Sequence, residues 1–424
     1  MNAPFQNEIG GSIDVVGVTN SRGVVGDRRI ASGVRVLFLV DELEGITAGG
    51  SERQVLQLID IMRKAGHEVW LAVFRNSNWL QQASGGFPTY FCGVNSVLSL
   101  KGFSCLLQFV RWMRAQRFDV VQTMFREANL LGPPLAKLAG VPIVLGSRRN
   151  LNHWMSWPFS FLQSISNRFS TRLVANSEAV RRVVSQRERT PLTRIDVIYN
   201  GVDTQYFVPD RNLGLSTRQR LGIPDDALLV GNVSRFGWIK GLDVFIRAAA
   251  IVLNKRPQTY FMVLGDGPLR APIESLARKV NLQDKCIFLN AQRDIRPFLS
   301  ASDIAVLTSR SEGFSNSLLE YMSAGLPIIA TDVGGNPEAL GDSGVLVPAD
   351  KADALAVAIL HLSEDAVRRQ ELGHRARCRA VELFDIAKAE IRIQEYVASL
   401  ASCSTGRENS VLLHNQSASS AKNS

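Results

Sequence analysis

The chain has 424 residues, 46% hydrophobic and 21% charged, with a formal net charge of +9. That length fits two to three domains with ample apolar material for packed cores; no run approaches the roughly 18 apolar residues of a membrane span, and the amino-terminal end carries no secretory apolar core. Cys92, Cys105, Cys286, Cys378 and Cys403 are scattered without metal-ligand spacing, which argues against a disulfide scaffold and for a reducing, cytoplasmic setting.

Residues 1–32 lack sustained periodicity and read as a flexible leader. Residues 34–40 are a continuous apolar run of buried parallel-strand type, followed by a glycine-bearing loop and a helical pattern over 51–64. A strand at 68–74 closes the first strand–helix–strand unit. The alternation continues with strands at 118–123, 142–147 and 172–176 and helices at 129–138 and 178–184, which predicts a doubly wound parallel sheet. Near residue 200 the pattern breaks, and a polar stretch runs through Pro209 to Pro224. Strand-like runs then resume at 227–231, 261–264, 286–289, 304–307 and 327–330. The fold class is therefore α/β, with two tandem Rossmann-like domains facing across a cleft. The first spans 33–200, a linker 201–225 and the second 226–400, whose last helix is free to pack back on the first domain. A Ser- and Asn-rich tail, 401–424, reads as disordered.

Ligands of open α/β sheets bind outside the carboxyl ends of the strands, so the loops there hold the chemistry. Gly49 and Gly50 open a helix and permit close backbone approach to an anion, although the full dinucleotide fingerprint is missing. Arg235 and Lys240 stand five apart on a glycine-punctuated loop, which suits a diphosphate clamp or simply two surface cations. Gly265-Asp266-Gly267-Pro268 is a strand-ending turn able to let a nucleotide sit close, or a tight turn and nothing more. The most informative stretch is 311–320. Glu312 falls on the loop after a buried strand and Glu320 about two turns into a helix, on the order of 10 Å away at 1.5 Å per residue. Between them, the amides near Ser315 and Asn316 suit a phosphate. Taken by itself, the stretch also fits an N-cap with two solvated glutamates.

The positive charge is concentrated: residues 111–194 hold 14 Arg and Lys against 4 Asp and Glu. The candidates for an acceptor or membrane contact are Arg126, Arg148 and Arg149 with, in an aromatic segment at 151–159, His153, Trp154 and Trp157. Basic side chains beside aromatics fit an anionic membrane surface; no nucleic-acid-binding motif is present.

In this order these motifs resemble the retaining GT-B glycosyltransferases of the group 1, or family 4, class, over about residues 33–400. Glu312 to Glu320 is similar to that family's E-x7-E motif, supported by the Arg235/Lys240 loop, the Gly265 turn, the loop from Gly334 to Glu338 and the segment from Val197 to Asp203. The resemblance implies that Glu312 contacts hydroxyls of the donor sugar and Glu320 the ribose. It implies that Arg235 and Lys240 bind and stabilise the departing diphosphate, and that Gly50 approaches the phosphates. Phe314, Ser315 and Asn316 would offer backbone amides, and Gln292 and Arg293 would hold the base. Many members carry a histidine where this chain has Met124. No D-x-D triplet occurs, so neither a metal nor another cofactor is expected.

The expected activity is transfer of a hexose, with retention, from a nucleotide-diphosphate sugar to a lipid-linked or growing polysaccharide acceptor in envelope or exopolysaccharide synthesis. The enzyme would sit on the inner face of the cytoplasmic membrane. The rivals are a nucleotide-sugar epimerase or hydrolase of the same fold, and a non-catalytic member that binds sugar nucleotides.

Overall fold

The computed structural model describes residues 33–44, 50–82, 86–94, 99–151 and 155–404. Its first domain holds strands β1 (Arg35–Val40), β2 (Glu68–Val73), β3 (Thr89–Phe91), β4 (Val120–Thr123), β5 (Ile143–Arg148), β6 (Arg172–Ala175) and β7 (Ile195–Val197). Helices α1 (Gly50–Lys64), α2 (Asn78–Gln82), α3 (Leu100–Gln116), α4 (Arg126–Leu138), α5 (Trp157–Ser166) and α6 (Glu178–Arg187) connect them. The strands are parallel in the order β3-β2-β1-β4-β5-β6-β7. Val36 to Val40 are each at most 1% exposed, since a central strand covered on both faces buries every side chain, about 1.5–3 kcal/mol for each large apolar one. One face packs Val55, Ile59 and Met62 of α1, and the other packs Phe109 of α3 and Ala128 and Ala136 of α4.

The second domain begins with α7 (Arg211–Leu221) and alternates β8 (Leu228–Val233), α8 (Leu242–Lys255), β9 (Thr259–Leu264), α9 (Arg270–Lys279), β10 (Cys286–Leu289), α10 (Arg296–Ala301), β11 (Ile304–Leu307), α11 (Asn316–Ser323), β12 (Ile328–Thr331), α12 (Asn336–Leu340) and β13 (Val345–Val347). Three helices follow: α13 (Ala352–Glu364), α14 (Ala366–Arg379) and α15 (Ile386–Ser404). The parallel sheet order is β10-β9-β8-β11-β12-β13. Strand order reverses beside β1 and β4 in one sheet and beside β8 and β11 in the other, which makes both strand-end crevices ligand sites by geometry.

Strands β3, β7 and β13 and helices α2 and α3 are not marked in the sequence reading, and two further elements depart from it. The stretch read as a linker contains α7, whose Gly214 lies so close to α10 that an added Cβ would stand 2.3 Å from the Ser300 carbonyl oxygen. Its polar composition reflects an exposed outer face. Helix α5 was unread because its polarity is inverted. Gln163 and Ser166 point inward and are buried, whereas Trp157, Phe161, Leu162 and Ile165 point outward and are exposed.

The domains are joined at several points. Helix α15 returns to the first domain, placing Ile393 and Val397 in its core, and Tyr396 donates to Asp196 at 2.8 Å. Glu338, in the first turn of α12, accepts from the Glu178 amide at 2.9 Å and from the Tyr199 hydroxyl. That carboxylate from the second domain caps the start of α6 in the first, where two amides lack intrahelical partners.

Candidate active site

The strand-end loops of both sheets enclose a cleft of about 510 Å³, within the usual range for a small-molecule site. From the second domain, the loop after β8 brings Ser234 and Arg235 to it, and a single 3₁₀ turn before α8 brings Lys240. Lys240 Nζ is ion-paired with Glu312 Oε1, and Ser309 Oγ donates to the same oxygen at 2.7 Å. Arg235 is exposed, and its guanidinium has no hydrogen bond or ion pair among the described residues. One cation thus fixes the carboxylate while the other is free to meet an anion.

The loop carrying Glu312 passes directly beneath the first domain. An added Cβ at Gly313 would lie 2.2 Å from the Arg149 carbonyl oxygen, so a side chain there would push the domains apart. Ser177 Oγ donates to the Gly313 carbonyl at 2.8 Å. Ser315 then caps α11, accepting from the Leu318 amide at 3.4 Å. The Phe314 side chain turns away toward Tyr199 and Phe384, with ring centroids 5.1 and 5.3 Å distant. Asn316 bridges the domains: its Nδ2 donates to the Gly50 carbonyl at 3.1 Å, and its Oδ1 accepts from Asn200 at 2.8 Å.

Glu320 does not join Glu312 in the cleft lining. It is 5% exposed, and its Oε1 accepts from Arg53 of α1 at 3.0 Å. Burial pushes its pKa upward, and the Arg53 guanidinium offsets part of that shift. At the far end of the cleft lie Gly265, Asp266, Gln292 and Arg293. Gly265 has φ +152°, and an added Cβ would stand 2.0 Å from the Ser234 carbonyl oxygen, so this turn admits glycine alone. The Asp266 carboxylate accepts from the Gly267 amide at 2.8 Å. Among the described residues, no three His, Cys, Asp or Glu side chains gather to hold a metal ion.

On the first-domain wall, Gly50 lines the cleft, whereas Gly49 lies outside the described residues. The adjacent arginines at the carboxyl end of β5 divide. Arg149 lines the cleft and donates to Gln54 at 3.1 Å and to Asn200; burial pushes its pKa down to about 10, so it stays charged at neutral pH. Arg148 is corrected from a surface role: it is 4% exposed and bonded to Glu188 and Asn167 beneath α5. Side chains alternate along a strand, so neighbours face opposite ways. Arg126 is exposed, stacked over Phe159 at 4.9 Å. Trp157 is 74% exposed, and His153 and Trp154 lie outside the described residues.

Met124 is fully buried in the first-domain core, so no side chain from that position lines the cleft. The turn after it is strained, with Phe125 at φ +75°, and Asp41 caps α4 by accepting from the Arg126, Glu127 and Ala128 amides. Much of the basic stretch is also committed internally: Lys137, Arg172 and Arg194 donate to backbone carbonyls. The sequence reading missed Arg53, Gln54, Asn176 and Asn200, all lining the cleft. Asn200 was signalled by the segment before the linker and Arg53 by the Gly-Gly helix start; Asn176 had no signal beyond its place after a strand.

Two family descriptions match this chain: Glycosyltransferase Family 4 over residues 48–206 and Glycosyl transferases group 1 over residues 216–379. Among curated relatives, it is 26% identical over 311 residues to the UDP-Gal:alpha-D-GlcNAc-diphosphoundecaprenol alpha-1,3-galactosyltransferase of Escherichia coli, covering 70% of this chain and 79% of that one. It is 27% identical over 329 residues to the lipopolysaccharide core biosynthesis glycosyltransferase LpsD of Rhizobium meliloti, covering 77% and 88%. Among solved structures, Anabaena HepE in complex with UDP superposes with a TM-score of 0.76 at 23% identity, over 86% of this chain and all of that one; this likeness is one of fold.

Proposed function

The chain belongs to the group 1, family 4 glycosyltransferases, and we propose that it moves a hexose with retention from a nucleotide-diphosphate sugar to a lipid-linked or growing glycan in envelope polysaccharide synthesis. The observation that carries this reading is the cleft between the strand ends, where unpaired Arg235 lies in the same lining as Lys240 and Glu312. A diphosphate placed between these cations has its leaving charge stabilised where it develops. Glu312, held by Lys240 and Ser309, is placed for the donor sugar's hydroxyls. Among the described lining residues the carboxylates are Glu312 and Asp266, and both are already hydrogen-bonded within the protein. That favours a same-face reaction. The bond from the anomeric carbon to the phosphate oxygen breaks as the acceptor oxygen bonds to that carbon, and the acceptor's proton passes to the departing phosphate. The relatives' lipid-diphosphate and lipopolysaccharide substrates support the acceptor class.

The test is nucleoside diphosphate release from UDP-, GDP- and ADP-sugars with and without a polyprenyl-diphosphate-sugar acceptor, with NMR of the product. Acceptor-dependent release and a product of the donor's anomeric configuration are expected. Release without transfer would mark a hydrolase, an altered donor an epimerase, and an inverted product would overturn retention.

We also assign the outward face of α5 to an anionic membrane surface. No described helix is long and apolar enough to cross a membrane. Yet Trp157, Phe161, Leu162 and Ile165 form one exposed stripe on α5, with exposed Arg168 just beyond the helix and Arg126 beside Phe159. Apolar residues flanked by cations suit the headgroup boundary. Changing Trp157, Phe161 and Leu162 together to serine is expected to abolish sedimentation with phosphatidylglycerol vesicles while leaving turnover of a water-soluble acceptor intact. Unchanged sedimentation would remove this assignment.

A further inference from the structure

Glu320 is held by one oxygen only. Its Oε1 pairs with Arg53 at 3.0 Å, while Oε2 is buried without a hydrogen-bond partner among the described residues. A buried, unsatisfied carboxylate oxygen is costly and therefore needs a reason. Arg53, not Glu320, belongs to the cleft lining, and it comes from α1 of the opposite domain. The pair crosses the domain boundary beside the Asn316–Gly50 bond.

We propose that Arg53 is a donor-positioning residue: it fixes Glu320 through Oε1 so that Oε2 meets a ribose hydroxyl of the nucleotide, which makes nucleotide affinity depend on the first domain. This rests on the ribose role of Glu320. The other groups facing this end of α11 do not replace Arg53. The Tyr321 hydroxyl is committed to the Val233 backbone, and Arg149 to Gln54 and Asn200. Burial alone lifts the Glu320 pKa, and Arg53 opposes it. Without Arg53 the carboxylate protonates at higher pH, so a variant lacking it loses nucleotide as pH falls and regains it as pH rises.

Calorimetric titration of the full chain with UDP, and with GDP and ADP in parallel, tests this against the 2′,3′-dideoxy form of the nucleotide that binds. For Arg53→Gln, about tenfold or greater weakening of the ribonucleotide is expected, the scale of one charge-assisted hydrogen bond. Dideoxynucleotide affinity should hardly change, the loss should shrink with rising pH, and Arg53→Lys should restore part of it. The double variant Arg53→Gln/Glu320→Gln should bind no worse than Glu320→Gln. If Glu320→Gln weakens binding but Arg53→Gln does not, the inference falls and the ribose role stands. If Glu320→Gln binds like the parent protein, the ribose role falls and takes the inference with it. Equal weakening of ribo- and dideoxynucleotide by Arg53→Gln would show that Arg53 acts on the phosphates instead, and would also overturn it.

Discussion

Replacing Lys240 by alanine is expected to lower kcat for sugar transfer by about 10²- to 10³-fold, the scale of removing one preorganised group from a site of developing charge. Two effects coincide at this residue. On the proposed reading the ammonium neutralises the departing diphosphate, and it also anchors the Glu312 carboxylate, which Ser309 alone would then hold. Lys240 is set by its short turn, closed by Gly241 at φ +60°, where an added Cβ would lie 2.1 Å from the Thr308 carbonyl oxygen. The cation therefore costs no reorganisation as the reaction proceeds. Arg235→Ala should raise KM as well as lower kcat, because on the same reading its exposed guanidinium would meet the ground-state diphosphate too. Steady-state kinetics with the active donor separates the two. A Lys240→Ala enzyme with unchanged kcat and a raised KM would show uniform binding and remove its leaving-group role.

What the sequence made legible follows from how locally each feature is encoded. The inner strands were readable because residues such as Val36 to Val40 and Ile304 to Leu307 are buried on both faces, leaving unbroken apolar runs. Arg235, Lys240 and Glu312 could be placed at the strand ends because each lies on the connection between a strand and the next helix. Features that depend on two distant segments were not. That Glu320 would be paired with Arg53, 267 residues earlier, has no local signature. Nor does the outward aromatic stripe of α5, since helical periodicity does not say which face meets the sheet. The charge over residues 111–194 was legible only in part for the same reason: a count of arginines does not reveal which of them satisfy buried carbonyls and carboxylates.

Arg148 gives the sharpest consequence of that distinction. Its Nε lies 3.0 Å from both Glu188 oxygens and its Nη2 2.7 Å from Asn167, with 4% of the arginine side chain and none of the glutamate exposed. Removing one partner strands the other charge in the interior, which costs about 3–5 kcal/mol. Glu188→Leu or Arg148→Met is therefore expected to lower the Tm of the first domain by roughly 10 °C, at about 2–4 °C per kcal/mol for a unit of this size. The double variant Arg148→Met/Glu188→Leu should be more stable than either single one, because it removes both charges together. Scanning calorimetry of the four proteins gives the coupling. Turnover measured well below each transition should stay near the parent value, since Arg148 faces away from the cleft that its neighbour Arg149 lines. Lost turnover with an unchanged Tm would instead place Arg148 on the substrate, and its burial beneath α5 would then have to be relieved in the working enzyme.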